Sequence, residues 1–326
     1  MTATMSLEDW VAATDDNYLS DFIREGGASV KFAIAMEGET TANISAAIRE
    51  RAISNGYLTA SIDSAKTKIS SIEFVLASIA DQIDLTTVVD GLIKTFASRV
   101  HWKLPDQFDS SSVQQQIADF NGVGVEVVSL ELKGALQNQL MKSTLLTRDF
   151  KVAMTILALA RLNGGDQFPV TLQTVSAWLG GHITKLSQLT NFSIHAKVSK
   201  ANARNIFGSL LTGLALAGFP GLVVTVDISQ LMNTQRDPER INYTKSALLD
   251  TYEVLREFID ATDDLEHLLM VVTAPATFLD LETSGRGIGR YQALRARVYD
   301  EVRDRNLANP MSALIRVGNE SPEVDQ

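Results

Sequence analysis

The sequence predicts an α/β fold in which a parallel sheet is flanked by helices and interrupted by a large helical insertion. Three observations predict it. Short apolar runs at residues 30–36, 57–62, 221–227 and 268–274 alternate with helical stretches. The order strand, loop, helix, strand across residues 30–62 is the opening unit of a doubly wound parallel sheet. Between the second and third apolar runs lies a long region whose periodicity is helical.

Residues 7–25 read as an amphipathic helix that ends at Gly26 and Gly27, where the missing Cβ atoms permit a left-handed cap. Val30 to Met36 follows as a buried strand, then a helix from Thr41 to Asn55 closed by Asn55-Gly56, then a strand from Tyr57 to Ile62 ending at Asp63. Helical spacing runs through residues 69–100 and 113–162, broken at Pro105 and at Asn121-Gly122-Val123-Gly124. Gly164-Gly165-Asp166 and Gly180-Gly181 mark further turns. Residues 200–216 form a helix with Ile206, Leu210 and Leu214 on one face.

Gly221 to Asp227, introduced by Gly218-Phe219-Pro220, is the most strand-like block. Its β-branched residues and terminal acid suit a central strand opening on a site. A helix over 243–261 and a strand over 268–274 complete the order. Residues 285–305 carry a charged helix beginning near Arg290, and the tail 320–326 reads as loose. The chain thus divides into an N-terminal helix with the first half of the core (1–83), a mainly helical insertion (84–200) and a second half of the core with an arginine-rich helix (201–326).

The chain has 326 residues, 45% of them hydrophobic, enough for a substantial core. A net charge of −10 disfavours general attraction to a polyanion and points to protein partners. The absence of cysteine excludes disulfides, thiolate metal sites and cysteine nucleophiles, and suits the cytoplasm. No signal peptide is legible at the N-terminus. The most apolar helical window, 145–162, is interrupted by Arg148, Asp149, Lys151 and Arg161, so no membrane span is expected.

The segment between the first strand and its helix sits where a phosphate-binding loop belongs. That loop, G-x-x-x-x-G-K-[S/T], needs glycines to wrap the backbone around phosphate, a lysine for charge and a hydroxyl for magnesium. Here the positions hold Ala35, Thr40, Thr41 and Ala42, with Gly38 inside the loop. The flanks, residues 21–28 and 56–63, together with 205–222, Val271-Val272-Thr273-Ala274-Pro275 and Arg286-Gly287-Ile288 with Tyr291, Leu294 and Arg297, resemble the ATP-binding proteins of BREX-type phage-defence systems. That family belongs to the P-loop ATPases related to AAA+ proteins, and the resemblance extends from about Asp21 to about Val317.

The resemblance implies a P-loop NTPase-like sheet with a degenerate nucleotide site at Ala35, Gly38, Thr40, Thr41, Ala42, Asp227, Ile228 and Thr273. Asp227 stands as the magnesium-side acid, Ile228 where a glutamate would polarise water, and Thr273 as the sensor-type polar residue. Loss of the charge-neutralising and base groups costs on the order of 10²-fold or more in rate for each. Neither ATP nor magnesium is therefore expected as a cofactor. The resemblance also implies a helical lid beyond Val317, which this chain would lack. Arg286 or Arg290 would face a neighbouring subunit, because a fixed guanidinium fork suits phosphate or carboxylate. Arg297 belongs to the same block, and the interleaved Asp300, Glu301 and Asp304 also suit a solvated face.

Three functions follow. The first is a non-catalytic subunit binding other defence-system proteins, as a homo- or hetero-oligomer, with DNA reached through partners. The second is an ATPase with a rearranged loop in which Lys31 supplies the charge. The third is a DNA-binding module using the face from Arg286 to Arg305. Other candidate chemistry is set aside. His101, His182, His195 and His267 lack metal-ligand spacing, and Ser209 lacks a G-x-S-x-G elbow. Gly122-Val123-Gly124 leaves the dinucleotide fingerprint incomplete, and Val125 to Leu130 reads as strand-like rather than as a helix start.

Overall fold

A computed structural model describes residues 3–299 and 308–319, so the predicted tail and the end of the arginine-rich segment lie outside the described residues. Helix α1 (Leu7–Thr14) starts at Ser6, whose hydroxyl accepts from the Asp9 N–H, and continues as a π-helical segment, Asp15–Phe22. Strand β1 (Ala28–Ala35), helix α2 (Thr41–Ser54) and strand β2 (Leu58–Asp63) follow. Then come α3 (Ile72–Ala80), α4 (Leu85–Arg99), α5 (Val113–Asn121), α6 (Val125–Lys142), α7 (Arg148–Asn163), α8 (Gln167–Leu179), α9 (Ser187–Thr190) and α10 (Ala203–Leu216). The chain returns through β3 (Leu222–Asp227), α11 (Ser229–Met232), α12 (Lys245–Asp260), β4 (Leu268–Pro275), α13 (Gln292–Val298) and β5 (Leu314–Val317).

Two compact units result, one from residues 1–79 with 220–326, the other from 80–219. The first holds a five-stranded, wholly parallel sheet in the order β2-β3-β4-β1-β5, a P-loop NTPase-like arrangement. Register aligns the C-terminal ends: Asp63 pairs with Asp227, Asp227 with Thr273, and Ala35 with both Pro275 and Val317. Parallel strands covered on both faces read as continuous apolar runs, which is why β1, β3 and β4 stand out in the sequence, whereas β2 at the sheet edge alternates buried Ala60 and Ile62 with partly exposed neighbours.

One face of the sheet packs Ala33, Val223, Leu269, Val271 and Ile315 against Ile44, Ile48 and Ala52 of α2 and against Trp10, Leu19 and Ile23 of the N-terminal helices. On the other face Phe32 stacks on Phe278 at 5.9 Å, and Tyr252 of α12 meets Phe278 edge-on. Burying each such side chain contributes about 1.5–3 kcal/mol. His267 ties the opposite edge of the sheet, with Nδ1 donating toward the carbonyls of Ile23 and Pro220 at 3.2 and 3.1 Å.

The second unit is helical throughout its regular structure. Its one deeply buried cation, Arg161, donates to Asp90 at 2.7 and 3.1 Å and to the Asp109 carbonyl at 2.8 Å. One reading of the sequence is corrected. Val125 to Leu130 is not strand-like but opens α6, whose inner face is Val128, Leu132, Leu136 and Leu140 at a four-residue period, after a left-handed cap at Gly122. The preceding element is a helix, so the strand required by a dinucleotide loop is absent there. A fifth strand, β5, which the sequence reading did not place, follows the charged segment, and α13 begins at Gln292, near Arg290 as expected.

Candidate functional site

Ligands of open parallel sheets bind outside the C-terminal strand ends, and this edge gathers most of the residues singled out in the sequence. Ala35 closes β1, and the chain turns at once. Met36 N–H donates to the Val317 carbonyl at 2.8 Å, Glu39 N–H to Met36 at 3.1 Å, and Asn319 N–H to Glu37 at 3.0 Å. Gly38 has φ +88°, a left-handed conformation, and a Cβ there would lie 2.6 Å from the Asn319 side chain. The loop is thereby strapped to the residues after β5, and Asn319 occupies the space over its one glycine.

Thr40 takes the extended conformation of an N-cap, and its hydroxyl accepts from the Asn43 N–H at 3.1 Å. Thr41, in the lysine position, donates its hydroxyl to Asp227 Oδ2 at 2.8 Å and lies 3.3 Å from the Ser229 hydroxyl. The Ser229 N–H donates to Asp227 Oδ1 at 2.8 Å. Both oxygens of Asp227 are thus bound by protein donors. Ile228 is fully buried and donates its N–H to the Thr273 carbonyl at 2.9 Å, so its side chain is part of the core. Thr273 is also fully buried, its hydroxyl 3.2 Å from that of Ser45. Ala42 is exposed on α2 and brings no hydroxyl.

The local field is wrong for a triphosphate. Residues 36–43 contain Glu37 and Glu39 and no lysine or arginine. Within that segment the attraction for an anion is the positive end of the α2 dipole, roughly half an elementary charge. A magnesium triphosphate needs free N–H groups around glycine, a cation and an available acid. The residues present supply a plugged glycine, two glutamates and an acid already bonded to Thr41, so they do not fit it.

Lys31 does not take the missing role. It lies on β1 four residues before the loop, 4% exposed, and its ammonium donates to the carbonyls of Met311 and Ser312 at 2.6 and 3.2 Å. The Tyr18 ring lies 4.4 Å away, and burial lowers the lysine pKa to about 8. The proposal of a rearranged loop charged by Lys31 is overturned by this placement.

Of the arginine block, Arg286 is turned inward. It donates to the carbonyls of Leu231 and Tyr243 at 2.5 and 2.9 Å. Arg290 donates to the Thr283 carbonyl at 2.6 Å. Arg297 pairs with Asp260, which also takes Arg256. Beside them, hydrogen bonds from Arg256 and Tyr291 hold the Glu253 carboxyl well below the usual range, at about 2. These arginines join no strand-end residue of the site. Among the described residues no group of three or more His, Asp or Glu is placed to hold a metal, and no helix is long and apolar enough to cross a membrane.

Sequence reasoning missed Ser229, Ser45 and Asn319. The D-x-S spacing of Asp227 and Ser229 was a legible signal, because a side chain accepting from the N–H two residues on is a common local turn. Asn319 offered none, since it reaches the loop only through β5.

The parallel sheet and its strand-end geometry define a P-loop NTPase-like protein. A family model described as BREX system ATP-binding protein BrxC/D matches residues 17–323, and the chain belongs to that family. No curated protein and no solved structure matches the chain. Membership of a BREX family implies a phage-defence setting and other components of that system as partners.

Proposed function

We propose that this chain is a non-catalytic member of its family, a pseudo-ATPase that acts in phage defence by binding other proteins. The observation that carries the reading is the Thr41 to Asp227 hydrogen bond of 2.8 Å. In a working site the acid is reserved for the metal and the residue at position 41 for phosphate; here the two satisfy each other. The buried Ile228, the acidic loop and the Asn319 plug support the same reading. With the charge and base groups gone, what remains is a rigid scaffold able to present surfaces to other subunits, in a homo- or hetero-oligomer and with DNA reached through partners.

The test is steady-state ATP hydrolysis by purified protein beside its Asp227→Ala variant. The expected result is no turnover above buffer in either. Turnover that Asp227→Ala abolishes overturns the proposal and restores the ATPase reading.

A further inference from the structure

The helices beside the emptied loop form a groove that no part of the nucleotide reading uses. It lies between α1 and α2, has a volume of about 610 Å³, and is floored by Leu7, Val11 and Ala47 under a rim of Glu8, Glu39 and Glu50. Its only cation, Arg51, is held by Asp15 at 3.1 Å, and Asn55 holds the other oxygen of Asp15 at 2.8 Å. Glu39 accepts only a 3.4 Å bond from Asn43, and neither Glu8 nor Glu50 has an ion-pair partner among the described residues. The wall carrying Leu7, Glu8 and Val11 is anchored by the fully buried Trp10 and precedes residue 17, where the family match begins.

The geometry points to this groove as the docking site for a basic amphipathic helix of a partner protein. Apolar side chains of such a helix enter between α1 and α2, and its lysines or arginines meet the glutamate rim. A phosphate-bearing partner, nucleic acid or lipid headgroup, is repelled by the same rim. The inference deepens the reading of the chain as a protein-binding subunit and rests on it.

The test is fluorescence anisotropy of the full chain with a labelled peptide of about 16 residues, long enough for a marginal helix, with leucines at i, i+3, i+4, i+7 spacing and lysines elsewhere. Glu8→Lys with Glu50→Lys is expected to weaken binding about 10-fold or more, and Ala47→Arg to do so by filling the floor. Both glutamates are exposed, so the first variant is expected to melt with the wild type. Reversing the same number of exposed charges elsewhere, Asp263→Lys with Asp264→Lys, is expected to change affinity less than about twofold. Equal losses in the two charge-reversed proteins overturn the inference. So does undiminished affinity for a leucine-free lysine peptide or for a peptide with glutamate in place of lysine. Failure here with no ATP turnover sinks only the groove; ATP turnover dependent on Asp227 sinks the pseudo-ATPase reading, whatever the peptide does.

Discussion

The two sides of the strand-end edge have fared differently. The β3–β4 side keeps its polar pair, Asp227 and Thr273, in register on neighbouring strands. The β1–α2 side carries Ala35, Thr40, Thr41 and Ala42 at the positions of the phosphate-loop pattern, and Thr41 donates to the acid that ends β3. The sheet beneath does not depend on those positions, because it is held by buried residues such as Phe32, Ile44, Val271 and Trp10. A ligand site and the scaffold that carries it are separable in energy, so one can decay while the other persists.

The largest effect expected from breaking this contrast is at Ile228. Ile228→Glu, which writes a base back into the β3–β4 side, buries an unpaired charge and should cost about 3–5 kcal/mol in urea unfolding without conferring hydrolysis. A stable, hydrolysing variant would show that side to be poised rather than closed.

Next is Lys31, the buried charge of β1. Its folded pKa of about 8 lies below its ordinary value of 10.5, so the folded chain holds the proton less tightly than the unfolded chain. The burial cost is fully present below pH 8 and is relieved as pH rises toward 10.5. Relative to Lys31→Met, the wild type should gain up to about 3 kcal/mol across that window. A flat difference between the two stability profiles would contradict the buried placement.

Smaller is the bond across the edge. Thr41→Val and Asp227→Asn should each cost about 1–2 kcal/mol, with a double-mutant coupling near 1 kcal/mol. Additive losses would mean that the two residues do not satisfy each other. Smallest is Ala42→Thr, an exposed change that restores a P-loop hydroxyl. It should move stability by less than about 0.5 kcal/mol and confer no magnesium-dependent nucleotide binding in equilibrium dialysis.

Much of this edge was legible in the residues. The apolar runs of β1, β3 and β4 are buried along nearly their whole length and therefore carry a strong signal, and the residue types at Ala35 to Ala42 are read directly from the sequence. β5 escaped because Leu314–Val317 is four residues long and carries Arg316 within it. The start of α6 misled because Val125, Val127 and Val128 are β-branched, and only the later Leu132, Leu136 and Leu140 reveal the helical period. The Thr41–Asp227 partnership was hidden for another reason. The residues are 186 positions apart, and only the β1–α2 turn beside β3 brings them together.

The most direct measurement is thermal unfolding with and without saturating ATP and magnesium. A ligand present at a hundred times its dissociation constant stabilises by about 2.7 kcal/mol. The proposed loss of the phosphate grip predicts superimposable transitions at millimolar ATP–magnesium, whereas a transition raised in the wild type but not in Asp227→Ala would contradict it.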